Sequence, residues 1–261
     1  MAKLALIPLV LLLFLIGGSL LALFSQLSFT QFVQLLSDDE IQFALLLSVS
    51  TALTSLLLSS VISLPAAWAM SRLSFPGKNI INILLDLPMV MPPLVVGIGL
   101  LLLLGQEGYV GQLVPTLSKW LFSPLGIIIA QTYVACSIQT RNAYSAFISI
   151  SPPYIHTAYN LGLTPLKTFF LVEIPLVWRS LLSGCVLAMS RALGEFGATL
   201  MLAGATRMKT ETLPIAVFLN IASGDFSLAV GCALLLIIFS IFLLVILHLL
   251  QQRGRLNVKG E

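Results

Sequence analysis

Residues 156–175 read HTAYNLGLTPLKTFFLVEIP, a mixed stretch between two long apolar runs. The pattern predicts a helix, a turn and a second helix. Gly162 is suited to end the first helix, because glycine takes up the left-handed backbone of a helix C-terminus without steric cost. Thr164 and Pro165 are suited to begin the second. The threonine supplies a cap, and the proline fits the first helical position, where its missing N–H is not needed. Pro175 is expected to break the chain before the next apolar run.

On either side of this stretch the chain suits lipid rather than water. Of its 261 residues, 58% are hydrophobic and 9% charged, against roughly 25% charged in a soluble domain. The apolar runs are about twenty residues long, enough for a helix to cross about 30 Å of hydrocarbon. An all-α integral membrane protein with six transmembrane helices follows. The spans fall at about 4–24, 43–70, 80–104, 125–147, 177–203 and 226–250, in one membrane domain, with a loop at about 151–176 between the fourth and fifth. The first run follows Lys3 and outlasts the roughly 7–15 apolar residues of a signal peptide, so it reads as a retained span. The second is interrupted only by small polar residues such as Ser48, Ser50, Thr51 and Ser55, whose hydroxyls can bond back to helix carbonyls.

Orientation follows from the basic residues. With the N-terminus in the cytoplasm, the inner segments hold nine: Lys3, Arg72, Lys78, Arg141, Lys167, Arg179, Arg253, Arg255 and Lys259. The outer segments hold three: Lys119, Arg207 and Lys209. This bias puts both termini, and the loop at 151–176, on the cytoplasmic side.

Some residues within the spans stand out. The third span carries Asp86, Pro88, Pro92 and Pro93. Prolines free backbone groups that protein or water must satisfy, so this span is either bent against the bundle or a cavity, or merely kinked. Arg191 and Glu195 are four apart and share a helix face. Charges at membrane depth face a partner or a wet cavity, and the bland reading is a self-neutralising pair that locks the fifth span to its neighbours. Small residues such as Ser59, Ser60, Gly97, Gly99, Ser183, Gly184, Ser190, Gly194 and Gly197 allow close helix approach, within one copy or between two. Cys136, Cys185 and Cys232 read as small apolar filler, with no spacing for a metal or a disulfide framework.

Several classes are disfavoured. A net charge of +3 is too small to point to nucleic acid. Gly77-Lys78 is followed by Asn79, with Arg72 where a phosphate loop needs its first glycine, so the chain has no nucleotide-binding loop of its own. There is no HExxH, and the histidines are His156 and His248.

The stretch at 156–175 resembles the cytoplasmic coupling loop, or EAA loop, of ABC importer permeases. That family's pattern is Glu-Ala-Ala, three residues, Gly, nine residues, then Ile-x-Leu-Pro. Ala158 stands at the second alanine and Gly162 at the glycine, and Val172, Ile174 and Pro175 stand at the Ile, Leu and Pro. His156 and Thr157 replace the Glu and the first Ala. Residues 85–97, LDLPMVMPPLVVG, resemble the third span of molybdate and sulfate permeases. Residues 191–201, RALGEFGATLM, continued by KTETLP at 209–214, look most like molybdate or tungstate permeases.

The resemblance implies a type I-like importer permease in the inner membrane, working as a homodimer with two ATPase subunits and an extracytoplasmic oxyanion-binding protein. ATP and magnesium would sit on the ATPase, with no cofactor on this chain. The short helix would dock in a groove of the ATPase, with Tyr159, Leu161, Leu163 and Leu166 as its contact face and His156, Thr157, Ala158, Gly162, Thr164 and Pro165 in the same loop. Asp86, Pro88, Pro92, Pro93, Arg191, Glu195 and Thr199 would line the pathway or lock helices, Arg191 being the residue set near the path of an oxyanion. The implied substrate is molybdate or tungstate, with sulfate or thiosulfate as the alternative and an ion-coupled carrier as the other class.

Overall fold

The computed structural model describes residues 6–258, with side chains to residue 251. Lys3 and Lys259, which entered the orientation argument, lie outside the described residues, as do the side chains of Arg253 and Arg255. No strand occurs among the described residues. Helices are the expected outcome in hydrocarbon, where every backbone N–H and C=O must be satisfied inside its own segment.

The chain opens with α1 (Leu6–Ser25), whose side chains are largely exposed, and a short α2 (Phe29–Leu35) held by a capping box between Ser28 and Gln31. The long α3 (Asp39–Arg72) starts at Asp38, whose carboxylate accepts the Glu40 and Ile41 N–H groups. Asp39 and Glu40 lie in its first turn and Arg72 in its last, each placed to favour the helix dipole. A turn at Gly77 leads to α4 (Lys78–Val90) and α5 (Pro93–Leu104), then to the short α6 (Tyr109–Leu113) and α7 (Pro115–Ser118). The next long helix, α8 (Pro124–Ile148), is capped by Ser123. Helices α9 (Pro152–Asn160) and α10 (Pro165–Thr168) follow, and α10 continues through a π-helical turn at Phe169–Glu173 into α11 (Ile174–Leu193). Last come α12 (Gly197–Ala203), α13 (Leu213–Ser223) and α14 (Phe226–Val258).

Helix α8 is the centre of the bundle. It packs along α3 and α11 and touches α4 and α12. Helix α14 covers α11 and α13, α5 pairs with α12, and α1 sits at the margin beside α14. Five helical stretches among the described residues are long and apolar enough to cross a membrane: Leu6–Ser25, Asp39–Arg72, Pro93–Leu113, Pro165–Leu193 and Phe226–Gln251. Helix α8 has the length as well, about 37 Å at 1.5 Å per residue, but its apolar character is diluted by polar residues that it buries.

The structure corrects four sequence expectations. The third span is two helices, because the chain turns extended at Met91 and Pro92 before Pro93 starts α5. The helix that carries the fifth span starts at Pro165, well before 177, and breaks at Gly194–Phe196 before α12. Pro175 does not break the chain. It lies in the first turn of α11, directly after the π turn, where the Ile174 N–H reaches back to the Phe169 carbonyl. A proline ring clashes with the carbonyl four residues before it in a regular helix, and the wider turn relieves that clash. Finally, residues 206–225, which lie between the spans expected at 177–203 and 226–250, are not only a connection. They contain α13, which buries Leu213, Ile215, Ala216 and Asn220.

Candidate coupling site

Helix α9 ends as its sequence predicts. Gly162 has φ +82°, the Gly162 N–H donates to the Tyr159 carbonyl at 2.9 Å and the Leu163 N–H to the Ala158 carbonyl at 3.1 Å. This pair of bonds is the Schellman arrangement, which satisfies the last carbonyls of a helix. Thr164 then caps α10 by accepting the Lys167 N–H, with Pro165 at the first helical position. The hairpin is therefore built from local chemistry on both sides of Gly162.

Its inner face is anchored. Ile155 and Ala158 are buried, and Ile155 joins a cluster with Ala67, Phe147, Ile150, Phe169, Val177 and Leu181. The Phe169 ring lies against Trp68 at 5.4 Å and Phe147 at 5.7 Å between centroids. The outer face is bare and apolar: Tyr154, Tyr159, Leu161 and Leu166 are exposed. His156 and Thr157 are exposed beside them, while Leu163 and Val172 are half-buried and Pro175 exposed. Pro153, Tyr154, Thr157, Leu161, Leu163 and Val172 line a shallow hollow on this surface.

A buried ionic cluster ties the hairpin to the bundle, and the sequence reading did not single it out. Glu173, in the π turn, is fully buried. Its carboxylate accepts from Trp68 Nε1 at 3.1 Å, from Arg72 Nε at 3.1 Å and from Arg72 Nη2 at 2.6 Å. Arg72 Nη2 also donates to the Phe147 carbonyl at 3.1 Å. A lone glutamate in an otherwise apolar FFLVEIP stretch, and an arginine closing a long apolar helix, were the available signals.

The membrane core is sewn by polar side chains. Ser48, Thr51, Ser55, Ser59 and Ser63 are buried along one side of α3. Ser50 and Thr51 bond back to the Leu47 carbonyl as expected, but the deeper serines reach across to α8. Ser55 donates to the Ile128 carbonyl, Ser59 to Gln139 Oε1 at 2.7 Å, and Ser63 to the Cys136 carbonyl. Gln139 Nε2 donates in turn to Ser60 at 2.7 Å and to the Cys185 sulfur at 3.2 Å. Buried Gln131 and Gln139 are the partners the sequence reading missed, and they account for the polar character of α8.

The remaining candidates separate into pairs. Asp86 forms an ion pair with Arg141 at 3.2 Å, both side chains partly exposed. Pro88 lies in the last turn of α4, and Pro92 and Pro93 begin α5. Arg191 pairs with fully buried Glu195 at 2.5 Å, and Glu195 also accepts the Ala198 N–H at 2.9 Å. Glu195 thus joins the end of α11 to the start of α12, both within the fifth span. Thr199 is buried on α12. Gly97, Gly184 and Gly197 meet neighbours within the chain, whereas Gly99 has open space beside it. The described residues contain no group of three or more His, Cys, Asp and Glu able to hold a metal.

Residues 59–255 match the family described as binding-protein-dependent transport system inner membrane component. The chain belongs to this family, and it is a permease subunit of an ABC importer. A sulfate transport system permease protein, CysW of Synechocystis, is 34% identical over 226 residues, covering 85% of this chain and 81% of its own. YvgM of Bacillus subtilis, named for molybdenum transport, is 36% identical over 188 residues, covering 70% and 81%. A chain of a bacterial ABC transporter that imports the polysaccharide alginate superposes with a TM-score of 0.75 over 97% of this chain and 94% of its own, at 15% identity. The relatives are transport subunits, and the chain is one too rather than an enzyme.

Proposed function

We propose that this chain is the membrane path of an importer for a tetrahedral oxyanion, molybdate or tungstate, driven by ATP that two partner ATPase subunits bind with magnesium and hydrolyse. An extracytoplasmic binding protein delivers the anion, two copies of the chain form the path, and both termini lie in the cytoplasm. The observation that carries the coupling part is the α9 hairpin, whose rigid termination at Gly162 presents Tyr154, Tyr159, Leu161 and Leu166 outward while Ile155 and Ala158 hold it to the bundle. An apolar knob on a cytoplasmic face needs a protein cover. A groove on a separate ATPase suits it.

The substrate part is supported by the EFGAT and LDLPMVMPP stretches and by the molybdenum-named relative. A second reading, sulfate, is favoured by the sulfate permease that aligns over more of the chain. Uptake in cells lacking this gene separates them. Loss of high-affinity molybdate or tungstate uptake is the expected result, and intact molybdate uptake with lost sulfate uptake moves the assignment to sulfate. Purification of the chain with no soluble ATPase bound, together with transport by the chain alone in liposomes, would overturn both in favour of an ion-coupled carrier.

A further inference from the structure

We infer that Glu173 and Arg72 form the joint through which movement of the cytoplasmic hairpin reaches the membrane helices, with Glu173 as the positioning residue. This rests on the coupling reading above and says which contact transmits the motion. Three elements end at this point: α3 at Arg72, α8 at Ile148, and the α9–α10 hairpin in the π turn that holds Glu173. One guanidinium touches the latter two, since Arg72 Nη2 donates both to Glu173 and to the Phe147 carbonyl. That carbonyl lies in the last turn of α8, where it also accepts the Ile150 N–H at 3.4 Å. Arg72 therefore reaches the end of α8 and holds the hairpin with the same side chain.

The surrounding packing does not require a charge. Phe169 already fills the space between Trp68 and Phe147, and apolar attraction is non-directional, so it favours no single angle between the partners. Arg72 Nε and Nη2 converge on Glu173 Oε2 while Trp68 Nε1 holds Oε1, so three charge-assisted bonds from two helix positions fix where the carboxylate sits and how it is turned. Burying a carboxylate is costly unless its partners compensate, and Glu173 has Trp68 and Arg72 for that purpose. The cluster thus adds directional stiffness where packing alone would give adhesion. When the hairpin is pushed by its partner, α3 and α8 move with it as one body.

The test uses the assembled complex of permease, ATPase and binding protein in proteoliposomes, with radiolabelled molybdate and radiolabelled sulfate as probes and phosphate release measured alongside. Glu173→Gln keeps the shape and removes the charge. The expected result is an ATPase still bound and hydrolysing, with oxyanion moved per ATP reduced about tenfold, in the range of ordinary coupling energies. Glu173→Asp is expected to recover part of that ratio. An unchanged ratio in Glu173→Gln, or uptake that falls only as far as the amount of protein in the membrane falls, overturns the inference. Trp68→Phe carries the same test if Glu173→Gln does not reach the membrane. It removes one donor and keeps an aromatic body, and it is expected to lower the ratio about twofold, the low end of what one hydrogen bond contributes, so an unchanged ratio there also overturns the inference. The two levels stay distinguishable: an ATPase that binds with its ratio intact sinks only the joint, whereas failure of any ATPase to bind the unmodified chain sinks the coupling reading and the joint with it.

Discussion

Gly197 on α12 lies so close to Pro93 on α5 that a β-carbon added to it would stand 2.8 Å from the proline Cβ and 2.9 Å from the backbone nitrogen of Leu94. The contact joins the two interrupted spans at their breaks, since Pro93 opens α5 and Gly197 opens α12. The approach is possible because Gly197 carries no β-carbon to meet the proline ring. Gly97 repeats the arrangement a turn further on, where an added β-carbon would stand 2.6 Å from Met201 Cβ and 2.9 Å from Ala198 Cα.

Gly197→Ala should therefore destabilise the protein, because the atoms in its way are backbone and ring atoms that cannot swing aside. Overpacking of this kind costs about 1–3 kcal/mol. The check is thermal unfolding of the purified protein in detergent, where Gly197→Ala is expected to melt several degrees below the parent and Gly99→Ala, which meets nothing within 4 Å, to melt with it.

At Gly162 the constraint is backbone conformation and not space. A β-carbon there has no neighbour within 4 Å, yet φ is +82°. Asparagine tolerates the left-handed region, and β-branched residues do not. Gly162→Asn should keep ATP-coupled uptake near the parent level, and Gly162→Val should lose most of it while the protein remains in the membrane. Equal coupling in both variants would count against a conformational role for this glycine.

Ser59 and Gln139 offer a gentler test of the seam between α3 and α8. Gln139→Leu removes the acceptor for Ser59 and the donor to Ser60. Hydrogen bonds between membrane helices average about 0.6 kcal/mol and reach about 1.7, so the expected loss is about 1 kcal/mol. Unfolding by increasing denaturing detergent measures it, and a loss well beyond this range would show that the seam acts as one cooperative network.

Glu211 lies in the segment between α12 and α13, fully buried. Burial pushes its carboxyl above the ordinary value of 4.5, with further upward pressure from Glu40, opposed by the Met208 N–H and the Arg207 charge. Arg207 is itself held by Glu40, Asn220 and Ser223. A carboxyl with a raised folded pKa contributes stability that is full below 4.5 and is lost as pH rises through the higher folded value. Hydrogen exchange of residues 204–212 should accordingly slow as pH falls into the mildly acidic range, after correction for intrinsic rates. Glu211→Gln should flatten that dependence.

The parts of this structure that could be read from the chain are those decided within a few residues. The Gly162 stop, the Thr164 cap with Pro165, and the Arg191–Glu195 pair each depend on neighbours one turn away, and each stands where its spacing puts it. The apolar runs likewise announce helices, because run length against hydrocarbon thickness is a local quantity. What escaped depends on contacts far apart in sequence. Glu173 finds Arg72 across 101 positions, and Ser59 finds Gln139 across 80. A serine on a lipid-bound helix can satisfy itself on its own backbone, so nothing in the local sequence says whether it also reaches for a neighbour. Helix α13 escaped for a related reason: with 11 residues it is too short to span, and only its burial between α3 and α14 makes it part of the bundle. Pro175 misled because the usual effect of proline was assumed in a regular α-helix, and the widened turn before it changes that geometry.

That widened turn has a geometric consequence for the whole rod from Pro165 to Leu193. A π turn carries one residue more than the α-register, and each residue of an α-helix advances the winding by about 100°. Everything beyond Glu173 is thus rotated by that angle relative to a regular continuation, so the hairpin end and the far end of one rod look toward different compass points. Deleting a single residue between 169 and 173 would unwind this offset and swing one end away from its neighbours without removing any contact-making side chain at the other.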